Sequence, residues 1–282
     1  MNSKKLQEKL RLHFPHQPTK EQDKLISNIA DFVAAIGNKS IFLLKGYAGT
    51  GKTTLVSTLV KSLPILGKRS VLMAPTGRAA KVLAKYSKQS ASTIHKKIYW
   101  IRTNKSGNTF ITLKENTHSN TIFIVDEASM IPESSDKGFG NRSLLDDLIE
   151  YVYQGQDCKL ILIGDTAQLP PVHLDISPAL DEEQLEVNYN KQIICKELTQ
   201  VVRQKEDSFI LKNATDLRNK IANANYSYPK LATNTEVIRL NTGEDLQDAL
   251  ETAYSNEGVN NTTILCRSNK RANQYNQQVR AK

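Results

Sequence analysis

Ile41-Phe-Leu-Leu-Lys-Gly46-Tyr-Ala-Gly-Thr-Gly-Lys-Thr-Thr54 decides the fold. The apolar run Ile41 to Leu44 has the length and composition of a buried strand. Gly46 to Thr53 spells G-x-x-x-x-G-K-T, a phosphate-binding loop, and Thr54 to Leu63 reads as the helix after it. Glycines let backbone N–H groups close around a polyphosphate without Cβ clashes. The helix start adds unpaired N–H groups and a partial positive charge. Gly46, Ala48, Gly49, Thr50, Gly51, Lys52, Thr53 and Thr54 are the candidate nucleotide contacts. Lys52 suits the β- and γ-phosphates, and the Thr53 hydroxyl suits Mg²⁺.

Two more apolar strands end in polar motifs. Thr121 to Val125 runs into Asp126-Glu127, and Leu160 to Ile163 runs into Gly164-Asp165-Thr166-Ala167-Gln168. Open α/β sheets bind ligands at the C-terminal ends of their strands. There Asp126 can hold Mg²⁺ through water, Glu127 can orient and deprotonate the attacking water, and Gln168 can hydrogen-bond the γ-phosphate. Upstream, Glu21 to Ile36 has a helical apolar face, with Gly37 as its stop. Gln22 has two readings that are compatible with each other. It closes a capping box with Thr19, and its amide matches the donor–acceptor edge of adenine.

The charge points to a polyanion. The chain of 282 residues carries a net +9, and residues 32–114 hold fifteen Lys or Arg and no Asp or Glu. Ser70 to Met73 is a strand that runs into Ala74-Pro75-Thr76-Gly77-Arg78 and a basic helix. Backbone N–H groups and a Thr hydroxyl at such a turn suit a nucleic-acid phosphate; a solvated basic face is the plainer alternative. His95 suits either a nucleic-acid contact or a structural role. Residues 97–114 read as a β-hairpin. Its Trp100 either stacks on bases or packs with Phe110. Val237 to Leu240 reads as a strand and Glu244 to Tyr254 as a helix. Arg267 and Asn269 are further candidates for phosphate contact.

Three cysteines without ligand spacing fit a reducing compartment. No apolar run has membrane-spanning length, and the charged N-terminus lacks a signal-peptide core. The expectation is a soluble, cytoplasmic, two-domain protein without membrane contact.

The motifs together resemble superfamily 1 DNA helicases. The phosphate loop, residues 74–83, Thr93-Ile-His95, Val125-Asp-Glu-Ala-Ser129, residues 164–172 and Leu198-Thr-Gln-Val-Val-Arg203-Gln204 occur in that family's order. They are most similar to the superfamily 1B branch of the RecD-like and Dda type. The resemblance implies an α/β, RecA-like P-loop NTPase with a parallel sheet flanked by helices and an inserted β-hairpin. It implies a first RecA-like domain over residues 1–96 and 115–206, a pin-like hairpin at 97–114, and a linker with an incomplete second RecA-like domain at 207–282. It also implies ATP and Mg²⁺ as cofactors and single-stranded DNA as partner, with other recombination or repair proteins as further candidates. Lys52, Asp126, Glu127, Gln168 and Arg203 take the catalytic roles. Pro75, Thr76, Arg78 and His95 fall in DNA-facing motifs. Hydrolysis would drive 5′-to-3′ translocation. The family's later motifs are not present within these residues, so impaired turnover is expected. The competing readings are a nucleotide-binding DNA-binding module and a subunit of a recombination or exonuclease complex without unwinding of its own. No Asn-Lys-x-Asp motif supports a GTPase, and no carboxylate cluster supports a nuclease.

Overall fold

The computed structural model describes residues 2–37, 40–103, 109–133, 142–202 and 208–281. It divides into two compact units, Met1–Gln204 and Lys205–Lys282.

The first unit is built on a six-stranded parallel sheet. Its strands are β1 (Ser40–Gly46), β2 (Arg69–Ala74), β3 (Ala91–Thr93), β6 (Thr121–Val125), β7 (Lys159–Gly164) and β8 (Gln192–Leu198). The order across the sheet is β3-β2-β6-β7-β1-β8. Ile41 pairs with both Leu160 and Ile193, so β1 has a neighbour on each side. Successive side chains of a strand point to opposite faces, and here both faces are covered. Phe42 and Leu44 join one apolar cluster, with Ile122, Ile124, Ile161 and Ile163. Ile41 and Leu43 join the other, with Phe123, Val125, Leu160 and Leu162. This two-sided burial is why these strands read as unbroken apolar runs rather than alternating ones. Each fully buried Leu, Ile or Phe contributes about 1.5–3 kcal/mol.

Helices α1 (Asn2–His13), α2 (Lys20–Ala34), α3 (Lys52–Ser62) and α4 (Gly77–Ser87) supply the first cluster, for example through Leu6, Ile26, Leu55 and Leu83. Helices α5 (Ile94–Ile98), α6 (Leu144–Gln154) and α7 (Glu182–Tyr189) supply the second, through Ile94, Leu148 and Leu185. At the far end of α2, the buried Lys159 of β7 donates from Nζ to the carbonyls of Phe32 and Ala35, the latter at 2.7 Å. Those carbonyls have no partner inside the helix, so a core lysine serves as its C-terminal cap.

The hairpin is a separate antiparallel pair, β4 (Tyr99–Thr103) and β5 (Thr109–Leu113). It starts two residues later than the sequence suggests. Thr93 accepts the N–H of Lys96, and the fully buried Ile94 and Ile98 anchor α5 in its place.

In the second unit the described residues form three helices, α8 (Phe209–Ala222), α9 (Gly243–Glu257) and α10 (Asn269–Ala281), and no strand. Helix α9 contains the helix expected at 244–254, and its N-terminus carries a capping box of Thr242 and Asp245. The strand expected at 237–240 is absent, and residues 262–266 form none either. A strand is defined by its ladder, and neither run has a ladder neighbour. At the first, Asn234 also competes locally. Its side chain accepts the N–H of Val237 at 3.0 Å and its own N–H donates to the Val237 carbonyl, which closes a turn instead. Asn213 on α8 exchanges two 2.8 Å bonds with the backbone of Ala232 and fixes the loop to the helix. No helix among the described residues is long and apolar enough to cross a membrane.

Candidate functional site

The phosphate loop leaves the end of β1 and enters α3 through Gly51. That residue has φ +99, a left-handed conformation, and a Cβ there would lie 2.5 Å from Gln22 Nε2. Both facts require glycine. Gly46 is constrained less severely, by approach alone, since its Cβ would meet Thr50 Oγ1 at 3.0 Å and the Leu198 carbonyl at 3.1 Å. Helix α3 begins at Lys52 with no side-chain cap. Its first N–H groups, near Thr53 and Thr54, are therefore offered to an anion.

Lys52 folds back over the loop. Its Nζ donates to the carbonyls of Gly46 and Tyr47, the latter at 2.8 Å, and lies 3.9 Å from Asp165 Oδ2. Burial lowers the Lys52 pKa, and the nearby carboxylates of Asp165, Asp126 and Glu127 oppose that. Asp126 stands at the end of β6. Its Oδ1 accepts the Glu127 N–H at 2.9 Å, and its Oδ2 accepts the Tyr86 hydroxyl. Glu127 occupies a left-handed position at φ +58. Burial, then the charge of Asp126, pushes its carboxyl pKa up, and a hydrogen bond with Gln168 acts the other way. Gln168 Oε1 also accepts from Ser129 Oγ at 3.2 Å. Asp165, buried at the end of β7, is a member of this cluster that motif reading left without a role; its signal was its place directly after an apolar strand.

Gln22 does two things at once. Its Oε1 accepts the Thr19 N–H at 3.1 Å in a complete capping box, and its Nε2 donates to the Thr50 carbonyl at 2.9 Å. The buried amide thus joins the start of α2 to the loop. One residue earlier, Glu21 accepts from the N–H groups of Thr199 and Gln200 and from the Thr199 hydroxyl, at 2.8–3.1 Å. These bonds hold its carboxyl below the usual range, the Gln200 N–H contributing most. Nothing in the local sequence signals that grip. Arg203 lies outside the described residues.

The donor set fits Mg²⁺. Among the described residues no three His, Cys, Asp or Glu are gathered for a metal. Mg²⁺ does not need such a cage, because one or two protein oxygens plus substrate phosphates suffice. Asp126 and Thr53 supply oxygens of that kind.

The candidate nucleic-acid residues are more scattered. Thr76 caps α4, its hydroxyl accepting the Ala79 N–H at 3.2 Å, beside the half-buried Pro75 and the exposed Arg78. The His95 ring is 5.8 Å from that of Tyr99. Trp100 is 56% exposed, and Lys114 Nζ sits 4.6 Å from its ring centroid. The Phe110 side chain lies outside the described part of the structure. Arg267 and Asn269 are exposed residues of the second unit.

A family profile described as an AAA domain matches residues 19–230. The ATP-dependent RecD2 DNA helicase of Deinococcus radiodurans is 30% identical over 155 residues, 55% of this chain and 19% of that protein. The ATP-dependent DNA helicase Dda of Enterobacteria phage T4 is 32% identical over 184 residues, 62% of this chain and 37% of that protein. Among solved structures, the Pif1 helicase from Candida albicans aligns with a TM-score of 0.47 at 18% identity, over 86% of this chain and 55% of that one. The chain spans between 17% and 37% of the length of the curated relatives it matches.

Proposed function

The chain belongs to the AAA domain family and carries the motif set of a superfamily 1B helicase motor; from that premise we propose that it hydrolyses ATP with Mg²⁺ to move along single-stranded DNA. The observation that carries this reading is the convergence of Lys52, Asp126, Glu127 and Asp165 at the C-terminal ends of three adjacent strands, β1, β6 and β7.

In this mechanism the α3 N-terminus and the loop N–H groups bind the phosphates. Lys52 leaves the Gly46 and Tyr47 carbonyls and swings to the β- and γ-phosphates, whose charge restores its proton affinity. Thr53 and Asp126 would hold Mg²⁺, which would supply charge neutralisation at the phosphates. Glu127 orients the attacking water and takes its proton, a task suited to a carboxyl raised by burial. Gln168, bonded to Glu127, reports the γ-phosphate. Arg203 supplies transition-state charge, a role taken from its motif. Gln22 keeps the loop in place and turns its remaining amide hydrogen to the adenine.

Within the first unit, single-stranded DNA lies on the basic face of α4, at Thr76 and Arg78, with Pro75, His95 and Trp100 as further contacts; Arg267 and Asn269 are separate candidates for phosphate contact on the second unit. Residues 1–96 and 115–206 form the motor domain, 97–114 the pin, and 207–282 the linker and the second RecA-like region; the break between units after Gln204 supports a boundary near residue 206. Movement is 5′ to 3′, by similarity to the RecD-like branch, and the setting is DNA recombination or repair.

Steady-state ATPase and ADP calorimetry test the proposal. Glu127→Gln is expected to lower turnover by about 10²–10⁴ while sparing nucleotide binding, and Lys52→Ala to weaken nucleotide binding itself. Equal nucleotide affinity in wild type and Lys52→Ala would overturn the site. Turnover that ignores single-stranded DNA would overturn the motor, and preferential unwinding of 3′-tailed duplexes would overturn the polarity.

A further inference from the structure

Tyr86 reaches the chemistry from outside every motif. It lies in the last turn of α4, and its hydroxyl donates to Asp126 Oδ2 across 40 residues of sequence. Its ring is half-buried against the apolar cluster that contains Leu55, Leu59, Leu83 and Ile124. The ring is therefore held by packing, and the hydroxyl is delivered to a fixed point. Asp126 Oδ1 is already engaged by the Glu127 N–H at 2.9 Å. One hydrogen bond thus acts on each carboxylate oxygen, one local and one from a different helix.

Resting on the reading of Asp126 as a cation ligand, we infer that Tyr86 is a positioning residue for the divalent cation, fixing the Asp126 carboxylate in one rotamer before the cation arrives. The chemistry of the donor fits this task. A phenol orients a carboxylate without bringing a positive charge, so it leaves the attraction between carboxylate and cation intact. A lysine or arginine in the same place would compete with the cation. Each carboxylate oxygen retains acceptor capacity after one hydrogen bond, so ligation does not require Tyr86 to leave. The same bond ties a cation ligand to the helix whose other end carries Thr76 and Arg78, and a shift of α4 would be felt at Asp126 without passing through the phosphate loop.

Mn²⁺ titration followed by electron paramagnetic resonance, on the full 282-residue chain with saturating ADP, reads the inference directly. Tyr86→Phe keeps the ring and removes the donor. Loss of such an outer partner is expected to weaken Mn²⁺ binding about 10-fold or more. Metal-free ADP affinity, measured in EDTA, and the melting temperature should stay at wild-type values. Tyr86→Leu should show the same metal defect together with a lower melting temperature, which separates hydroxyl from ring. Asp126→Asn is the reference. If it leaves Mn²⁺ binding intact, the ligand assignment falls and the inference with it. If Asp126→Asn abolishes binding while Tyr86→Phe stays within about twofold of wild type, where a true outer partner would cost far more, only the role of Tyr86 is overturned. Tighter Mn²⁺ binding by Tyr86→Phe would also overturn it, because Tyr86 would then be a competitor of the cation.

Discussion

Ile41-Phe-Leu-Leu44 and Thr262-Thr-Ile-Leu-Cys266 are both short runs of strand-forming residues, and they have opposite fates. The first is a central strand, fully buried, with a parallel neighbour on each side. The second has no ladder, and its Leu265 is 92% exposed. Composition does not separate them; neighbours do. A run becomes a strand when another edge satisfies its N–H and C=O groups and a helix covers its face. Around the first run, β7, β8, α2 and α3 do both.

Amide hydrogen exchange would break or sharpen this contrast most. The amides of β1 should open only with global unfolding, and those of 262–266 with almost no protection. The expected ratio is about 10³ or more. Comparable protection in the two runs would mean that 262–266 has found a ladder in solution. Side-chain truncation reads the same difference on a smaller scale. Phe42→Ala should cost about 3–5 kcal/mol of unfolding free energy by denaturant titration, and Leu265→Ala less than about 0.5 kcal/mol. A cost for Leu265 near that of Phe42 would show that the exposed leucine is buried by association.

What could be read in advance follows the same line. The ends of β1, β6 and β7 were legible because each couples an apolar run to a polar motif, and parallel sheets gather those ends on one side. Thr19 and Gln22 were legible as a cap because the capping box is local. The second bond of Gln22, to Thr50, was not, because it spans 28 residues. Tyr86 and Glu21 were illegible for the same reason, since each reaches a partner that only the completed fold brings near. The strand expected at 237–240 does not form because propensity is a local property and pairing is not.

The smallest expected effect concerns Lys159, a charge that the first unit buries. Burial, then the charge of Lys68, lowers its pKa to about 8 from an ordinary 10.5, and Asp157 opposes that. Between those values the unfolded chain holds the proton and the folded chain does not. Stability from this group therefore rises with pH from about 8 to 10.5 and is unaffected below about 8, where both states are protonated. Melting temperature against pH should climb more in wild type than in Lys159→Met, by about 2–4 °C for each kcal/mol in a unit of this size. Parallel profiles would show that the two carbonyls keep the lysine charged.

Helix α2 is held at both ends by groups that cannot follow it. Gln22 ties its first turn to the Thr50 carbonyl, and Lys159 takes the carbonyls of Phe32 and Ala35 at its last. An α-helix advances 1.5 Å and turns about 100° per residue. A single inserted codon between Asp23 and Phe32 would swing one set of partners about a quarter-turn away from the other. Residues on the exposed face of α2 can drift over evolutionary time, but its residue count cannot, because even a whole added turn would carry one end about 5.4 Å along the axis away from its partner.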